Sequence, residues 1–285
     1  MSETTLATGT AGPSRRRRRA ELLPPRVRAL YAGNARMLVV RGLLGARTNN
    51  WLVVLSGFFE PVFFLLAMGV GLGTYIGDVE IAGGRSVPYA AYIAPALLAV
   101  SAMNGAVYDS TWNVFFKMHF GKLYQAVLNT SMGPLDVALG EIGYALLRGL
   151  VYAAGFLTVM QVMGLNLSWT AVLALPAVVL IAFGFASLGM AVTSYMKTFQ
   201  QMDWINFVML PMFLFSATFY PLSVYPELVQ RLIQVLPLWH AVELVRGLTL
   251  GLWSSQLLLH VGYFAAMIGL GIVFTTRRLR ALFLD

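Results

Sequence analysis

From Trp169 to Tyr195 the sequence holds no charged residue, and a helix drawn through that stretch is apolar on nearly every face. Such a helix is long enough to cross about 30 Å of hydrocarbon, whereas a helix resting on a soluble core keeps one face for water. Similar runs recur along the chain. Of its 285 residues 58% are hydrophobic and 11% charged, with a mean hydropathy of +0.72. Soluble domains average about 25% charged residues, so this much apolar surface is not expected to fit one aqueous core. The chain reads as an all-α integral membrane protein.

Six spans are expected: Trp51 to Leu72, Tyr89 to Tyr108, Leu135 to Met163, Trp169 to Tyr195, Trp204 to Phe219, and Trp253 to Phe274. Trp opens four of them, as residues anchored at the headgroup level often do. Pro61, Pro95, Pro176 and Pro211 fall inside spans, where kinks are expected and neighbouring helices satisfy the freed carbonyls. The organisation follows. Residues 1–25, with the run Arg15 to Arg19, form a polar cytoplasmic tail in contact with anionic lipid, and no apolar stretch follows directly as a signal peptide would require. Residues 26–48 form a helix too mixed to span. On a helical wheel Arg26, Arg36, Arg41 and Arg47 share about 140° of arc opposite Val27, Tyr31, Leu38 and Gly42. A helix lying in the interface is expected there, because long Arg side chains reach into headgroups. Residues 49–276 hold the spans and 277–285 a short cytoplasmic tail.

The net charge of +8 raises the question of nucleic acid, but its distribution argues for topology instead. Ten arginines precede the first span. With the N-terminus cytoplasmic, they join Lys117, Lys122, Lys197, Arg277, Arg278 and Arg280 inside, against Arg85, Arg231 and Arg246 outside. Sixteen against three places both termini in the cytoplasm.

Two connections are too structured to be linkers. Asp109 to Pro134, on the inner side, carries Trp112, Phe115, Phe116, Met118 and Tyr124 beside Lys117, His119 and Lys122. Tyr220 to Gly251, on the outer side, is divided by Pro221, Pro226 and Pro237 into segments too short to span, which fits a re-entrant hairpin. That hairpin holds Glu227, Arg231, Glu243 and Arg246 and is placed to close the exit of a path.

No Gly-x-x-x-x-Gly-Lys-Ser/Thr string occurs, since Gly121-Lys122 is followed by Leu123, so the chain is not expected to hydrolyse ATP. His119, His240 and His260 show no metal-ligand spacing, no Gly-x-Ser-x-Gly elbow is present, and there is no Cys. Charges within spans are costly and face protein or water. They are Glu60, Glu141 and Arg148, with Asp109 and Asp136 near the inner ends. Glu141 and Arg148 share a helical face but lie about 10.5 Å apart along its axis, so they do not pair. A partner for Arg148 is expected in Glu60 or in an anionic group of a substrate. A membrane-embedded transferase would need converging carboxylates, yet Asp136 and Glu141 lie about 140° apart on one helix. An ion-driven secondary transporter would show matching broken helices in two repeats, which are not visible.

Several strings look familiar in their order: Ser101-Ala102-Met103, Phe116-Lys117-Met118, Asp136-Val137-Ala138-Leu139-Gly140-Glu141, Phe185-Ala186-Ser187-Leu188-Gly189-Met190, Leu210-Pro211-Met212 and Leu236-Pro237-Leu238-Trp239-His240. Together with the order of helices, they resemble the ABC-2 family of exporter membrane subunits, in its NodJ-like branch. The resemblance implies a bacterial cytoplasmic-membrane permease. It would act as a pair, with a second copy or a related permease. Two ATP-binding-cassette subunits would bind ATP and Mg and drive an amphiphile outward. It also implies that Trp112, Phe115, Phe116, Lys117, Met118, Lys122 and Tyr124 form a coupling helix against the ATPase. Substrate is expected between two copies, along Phe58, Phe59, Phe63, Asn104, Phe213 and Phe215.

Because the chain has no Cys, single cysteines report topology cleanly. An impermeant maleimide should label Arg85→Cys from outside and Lys122→Cys only from inside; the reverse pattern would defeat the assigned orientation.

Overall fold

The computed structural model describes residues 33–48, 59, 61–81, 84–130 and 132–283. The Arg15 to Arg19 run, residues 26–32 of the interfacial helix, and residues 51–58 and 60 of the first expected span, Phe58 and Glu60 among them, lie outside the described residues.

The first described element is α1 (Ala35–Thr48). It is followed by α2 (Pro61–Ile76), whose middle, Leu65–Leu72, winds as a π-helix. Two short strands, β1 (Asp78–Ile81) and β2 (Arg85–Pro88), pair antiparallel with Val79 opposite Val87. Next come α3 (Tyr89–His119), the short α4 (Leu123–Leu128), α5 (Pro134–Val162) and α6 (Trp169–Tyr195). The last four helices are α7 (Asp203–Phe215), α8 (Glu227–Val235), α9 (Pro237–Leu250) and α10 (Gln256–Phe283).

Among the described residues α3, α5, α6 and α10 are long and apolar enough to cross a membrane. The second, third, fourth and sixth expected spans coincide with them, while the fifth comes out shorter. The described part of the first is α2. The fifth, expected to reach Phe219, is α7, whose 13 residues rise only about 20 Å. Its helix ends because Ala217 takes a left-handed φ of 54° and turns its carbonyl to the Arg246 guanidinium, 3.0 Å away. Two other limits also move. The second span does not stop at Tyr108; a π turn at Asp109–Asn113 carries α3 on to His119. The last helix does not stop at Phe274 either. Leu279 is buried, and Arg278 donates to the Ser194 carbonyl at 3.3 Å and covers the Tyr195 ring, so residues expected as a tail continue α10.

Helix α3 is the most enclosed of the four long helices and packs against α2, α5, α6 and α9. Lipid supplies little drive for helix association, so close approach depends on small residues. On α5, a methyl at Gly140 would sit 2.6 Å from Cβ of Leu38 and 2.8 Å from the Ala35 carbonyl, which is how closely α1 lies on it. On α10, a methyl at Gly271 would meet the Ser187 backbone of α6 at 2.5 Å. The face of α1 turned to α5 includes Leu38 and Gly42, both on the side predicted opposite the arginines.

The contacts sort the molecule into two ends. At one, α1, the end of α3 and α4 meet the base of α5, and Phe199 packs on the end of α3. At the other, Arg85 of β2 donates to the Leu250 carbonyl, and Leu167 and Thr170 bond the Thr249 and Leu248 carbonyls at the close of α9. These are the same groupings that the basic residues drew, and we call them the basic end and the hairpin end.

Candidate functional site

Three charged residues of α5 organise the basic end, because each needs a partner at that depth. Asp136 sits at the third position of the helix, where the acidic residue of a capping pattern belongs. One oxygen accepts from Gly133 N at 2.9 Å. The other accepts from Asn34 N at 2.7 Å and Ala35 N at 3.1 Å, so this fully buried carboxylate caps two helices. Five residues on, Glu141 takes Arg41 of α1 at 3.1 Å and Lys117 near the end of α3 at 2.5 Å. Arg148 meets Asp109 in the π turn of α3, and Asn113 steadies the same carboxylate at 2.7 Å. Arg148 therefore has an internal partner in Asp109, on the neighbouring α3; Glu60, the partner expected for it within the chain, lies outside the described residues. Glu141 and Arg148 do not pair, as their spacing required. Asp136 and Glu141 serve different partners and form no shared carboxylate site.

The segment from Trp112 to Tyr124 divides by burial. Phe115, Met118 and Tyr124 are buried, and Phe115 stacks on His119 with centroids 4.3 Å apart. Burial first, and then the charge of Glu141, push the Tyr124 hydroxyl well above its ordinary phenol range, so it stays protonated. Lys117 is held by Glu141, while Lys122 is exposed with φ 45°, turning the chain between α3 and α4. Of the expected apolar surface, then, Phe116 remains exposed and Trp112 half so. Two rings that the sequence reading passed over complete it. Phe120 is 67% exposed and lies against Phe116 at 5.4 Å; Phe199, from the turn before α7, meets Phe116 at 6.0 Å and Trp112 at 5.3 Å. Lys122 and Lys197 flank this aromatic tip in sequence and are exposed.

At the hairpin end the four expected charges also divide. Glu227 and Arg231 on α8 are exposed, whereas Arg246 on α9 is 4% exposed. Arg246 bonds Glu243 at 2.7 Å, holds the Ala217 carbonyl, and lies 4.0 Å above the Tyr92 ring of α3. His240 and His260, far apart in sequence, bring their Nδ1 atoms to 2.7 Å and tie α9 to α10. At the end of α7 an open apolar cavity of about 620 Å³ is lined by Phe64, Met68, Phe213, Phe215, Phe219 and Tyr225, among others. Phe213 and Phe215 of the expected substrate path are thus at one site. Phe59 stacks on Phe63 of α2 at 5.4 Å, and neither lines the cavity; Asn104 lies half-buried on α3.

Residues 34–250 match the profile of the ABC-2 type transporter. The chain belongs to the ABC-2 family. Similar to it are nodulation protein J of Rhizobium leguminosarum bv. viciae, 29% identical over 258 residues, covering 89% of this chain and 97% of that one. Nodulation protein J of Sinorhizobium fredii (strain NBRC 101917 / NGR234) is 32% identical over 210 residues, covering 73% and 78%. That of Rhizobium leguminosarum bv. trifolii is 30% identical over 258 residues, covering 89% and 96%. As an ABC-2 membrane subunit the chain is a multi-pass transporter component, and the matched residues include α1, the aromatic tip and α9.

Removing one member of a buried ion pair leaves the other unpaired, at a cost of about 3–5 kcal/mol. Arg148→Met should cost near the lower end, about 3 kcal/mol, because the Arg148 side chain keeps 23% exposure. Asp109→Asn with Arg148→Met should recover most of the loss. Unfolding midpoints of the purified variants test this, and an unchanged Arg148→Met midpoint would show that the pair carries nothing.

Proposed function

We propose that the chain is the permease half of an ATP-driven exporter in a bacterial cytoplasmic membrane, with both termini inside. Two permease copies, or this chain with a related permease, assemble with two ATP-binding-cassette subunits that bind ATP and Mg. They move an amphiphile outward, such as a lipid-linked saccharide, a glycolipid or a hydrophobic drug. The observation that carries this reading is the aromatic tip at the basic end. Phe116, Phe120 and Phe199 stand exposed with Lys122 and Lys197 close in sequence, on the side to which the charge asymmetry assigns the cytosol. Clustered aromatic rings with a charged rim make a small, strong protein interface. A P-loop partner would supply the hydrolysis for which this sequence carries no motif.

The tip is built on α3, and α3 runs on to Tyr92 beneath Arg246. Closure of the ATPase dimer would push on one end of this helix and shift the base of the hairpin at the other. The hairpin would then open a path between two permease copies. Phe59, Phe63, Phe213 and Phe215, with the apolar cavity beside α7, offer the acyl or aromatic part of a substrate an apolar surface.

Phe115 is buried, so its replacement would disturb packing as well as docking. The exposed pair Phe116→Ala and Phe120→Ala is the cleaner variant. It should insert and unfold as the parent does, bind the copurifying ATPase about tenfold more weakly or worse, and lose substrate transport in proportion. Undiminished association and transport in that double variant would remove the tip from energy coupling.

A further inference from the structure

Burial asks only that Glu141 have one cation. It has two, from different elements: Arg41 of α1 at 3.1 Å and Lys117 of α3 at 2.5 Å, with the buried Tyr124 of α4 near enough to feel its charge. The Glu141 side chain is 6% exposed, while Arg41 and Lys117 keep 39% and 30%. A partly hydrated cation does not need a buried carboxylate for its own sake. The excess of partners points to a joint between elements rather than to simple neutralisation.

Position supports this. Lys117 follows Phe116 directly and precedes Phe120 by three residues, so a displacement of the aromatic tip moves its ammonium first. Glu141 is the group on α5 that this ammonium touches. Arg41 then carries the same displacement to α1, whose start is fixed separately by Asp136. We propose that Glu141 is a positioning residue for energy coupling: it joins the tip, α4, α1 and the base of α5 into one body that moves together when the ATPase closes. This rests on the docking of an ATPase at the tip, given above.

The test uses the full chain in complex with its copurifying ATPase, reconstituted in vesicles. Glu141→Gln should leave assembly and basal ATP hydrolysis unchanged while transport per ATP falls about tenfold, the size of an ordinary coupling energy. Glu141→Asp, which keeps the charge, should restore most of that ratio. Equal coupling in wild type and Glu141→Gln, or loss of hydrolysis and transport by the same factor, would overturn the proposal. A second measurement does not depend on any change at Glu141. Spin labels on Arg36→Cys and Gln125→Cys, both exposed, should keep one separation with and without trapped nucleotide, while the separation from Gln125→Cys to Leu232→Cys changes. A nucleotide-dependent change between the first two labels would overturn the one-body joint. Failure of the wild-type chain to bind any ATPase would overturn the joint and the proposed function together, and is distinguished by the assembly assay.

Discussion

A charge placed within a membrane span is stable only against a partner, and the basic end of this protein is assembled from that requirement. Helix α5 carries Asp136, Glu141 and Arg148, and each draws a different element to it: the start of α1, the end of α3 with the middle of α1, and the π turn of α3. Hydrophobic burial alone would leave these elements free to slide, because lipid solvates an apolar helix as well as a neighbour does. The ion pairs and the double cap fix their register. Gly140 then permits the close crossing of α1 that brings Arg41 within reach of Glu141.

The hairpin end uses the same physics more sparingly. Arg246 is the buried cation there, and it answers to three groups at once: the Glu243 carboxylate, the Ala217 carbonyl and the Tyr92 ring. It thereby joins α9, the end of α7 and the start of α3. The His240–His260 contact adds α10 to the same assembly. Since α3 reaches from the aromatic tip to Tyr92, one continuous helix is in contact with the organising charges of both ends. An ABC-2 subunit needs such a link if events at one membrane face are to be felt at the other.

How much of this is legible in sequence follows from the range of each interaction. The four long spans are local: apolar runs of sufficient length declare themselves, and α3, α5, α6 and α10 fall where the runs are. The sequence predicts a longer α7 because Ser216 to Phe219 are uncharged, and what ends the helix is a contact of Ala217 with Arg246, 29 residues away. The bond from Asp136 to the start of its own helix is local, but its bonds to Asn34 and Ala35 span more than 100 residues and have no local mark. The tip shows the same divide. Aromatic content marks the segment as amphipathic, yet which rings face outward depends on tertiary packing, and Phe199, which joins the tip, comes from some 80 residues on. Hence Phe115 and Tyr124 turn inward, and nothing local marks Phe120 and Phe199 as the exposed rings.

Energy coupling as proposed depends on where a separate ATPase would take hold of this chain. A photoreactive amino acid placed at Phe120, 67% exposed at the aromatic tip, measures that directly when compared with one at Leu232, 62% exposed on α8 of the hairpin end. Irradiation of intact cells should join the Phe120 probe to a soluble P-loop ATPase and leave the Leu232 probe without that adduct. An ATPase adduct from Leu232, or none from Phe120 in cells that transport normally, would contradict the account.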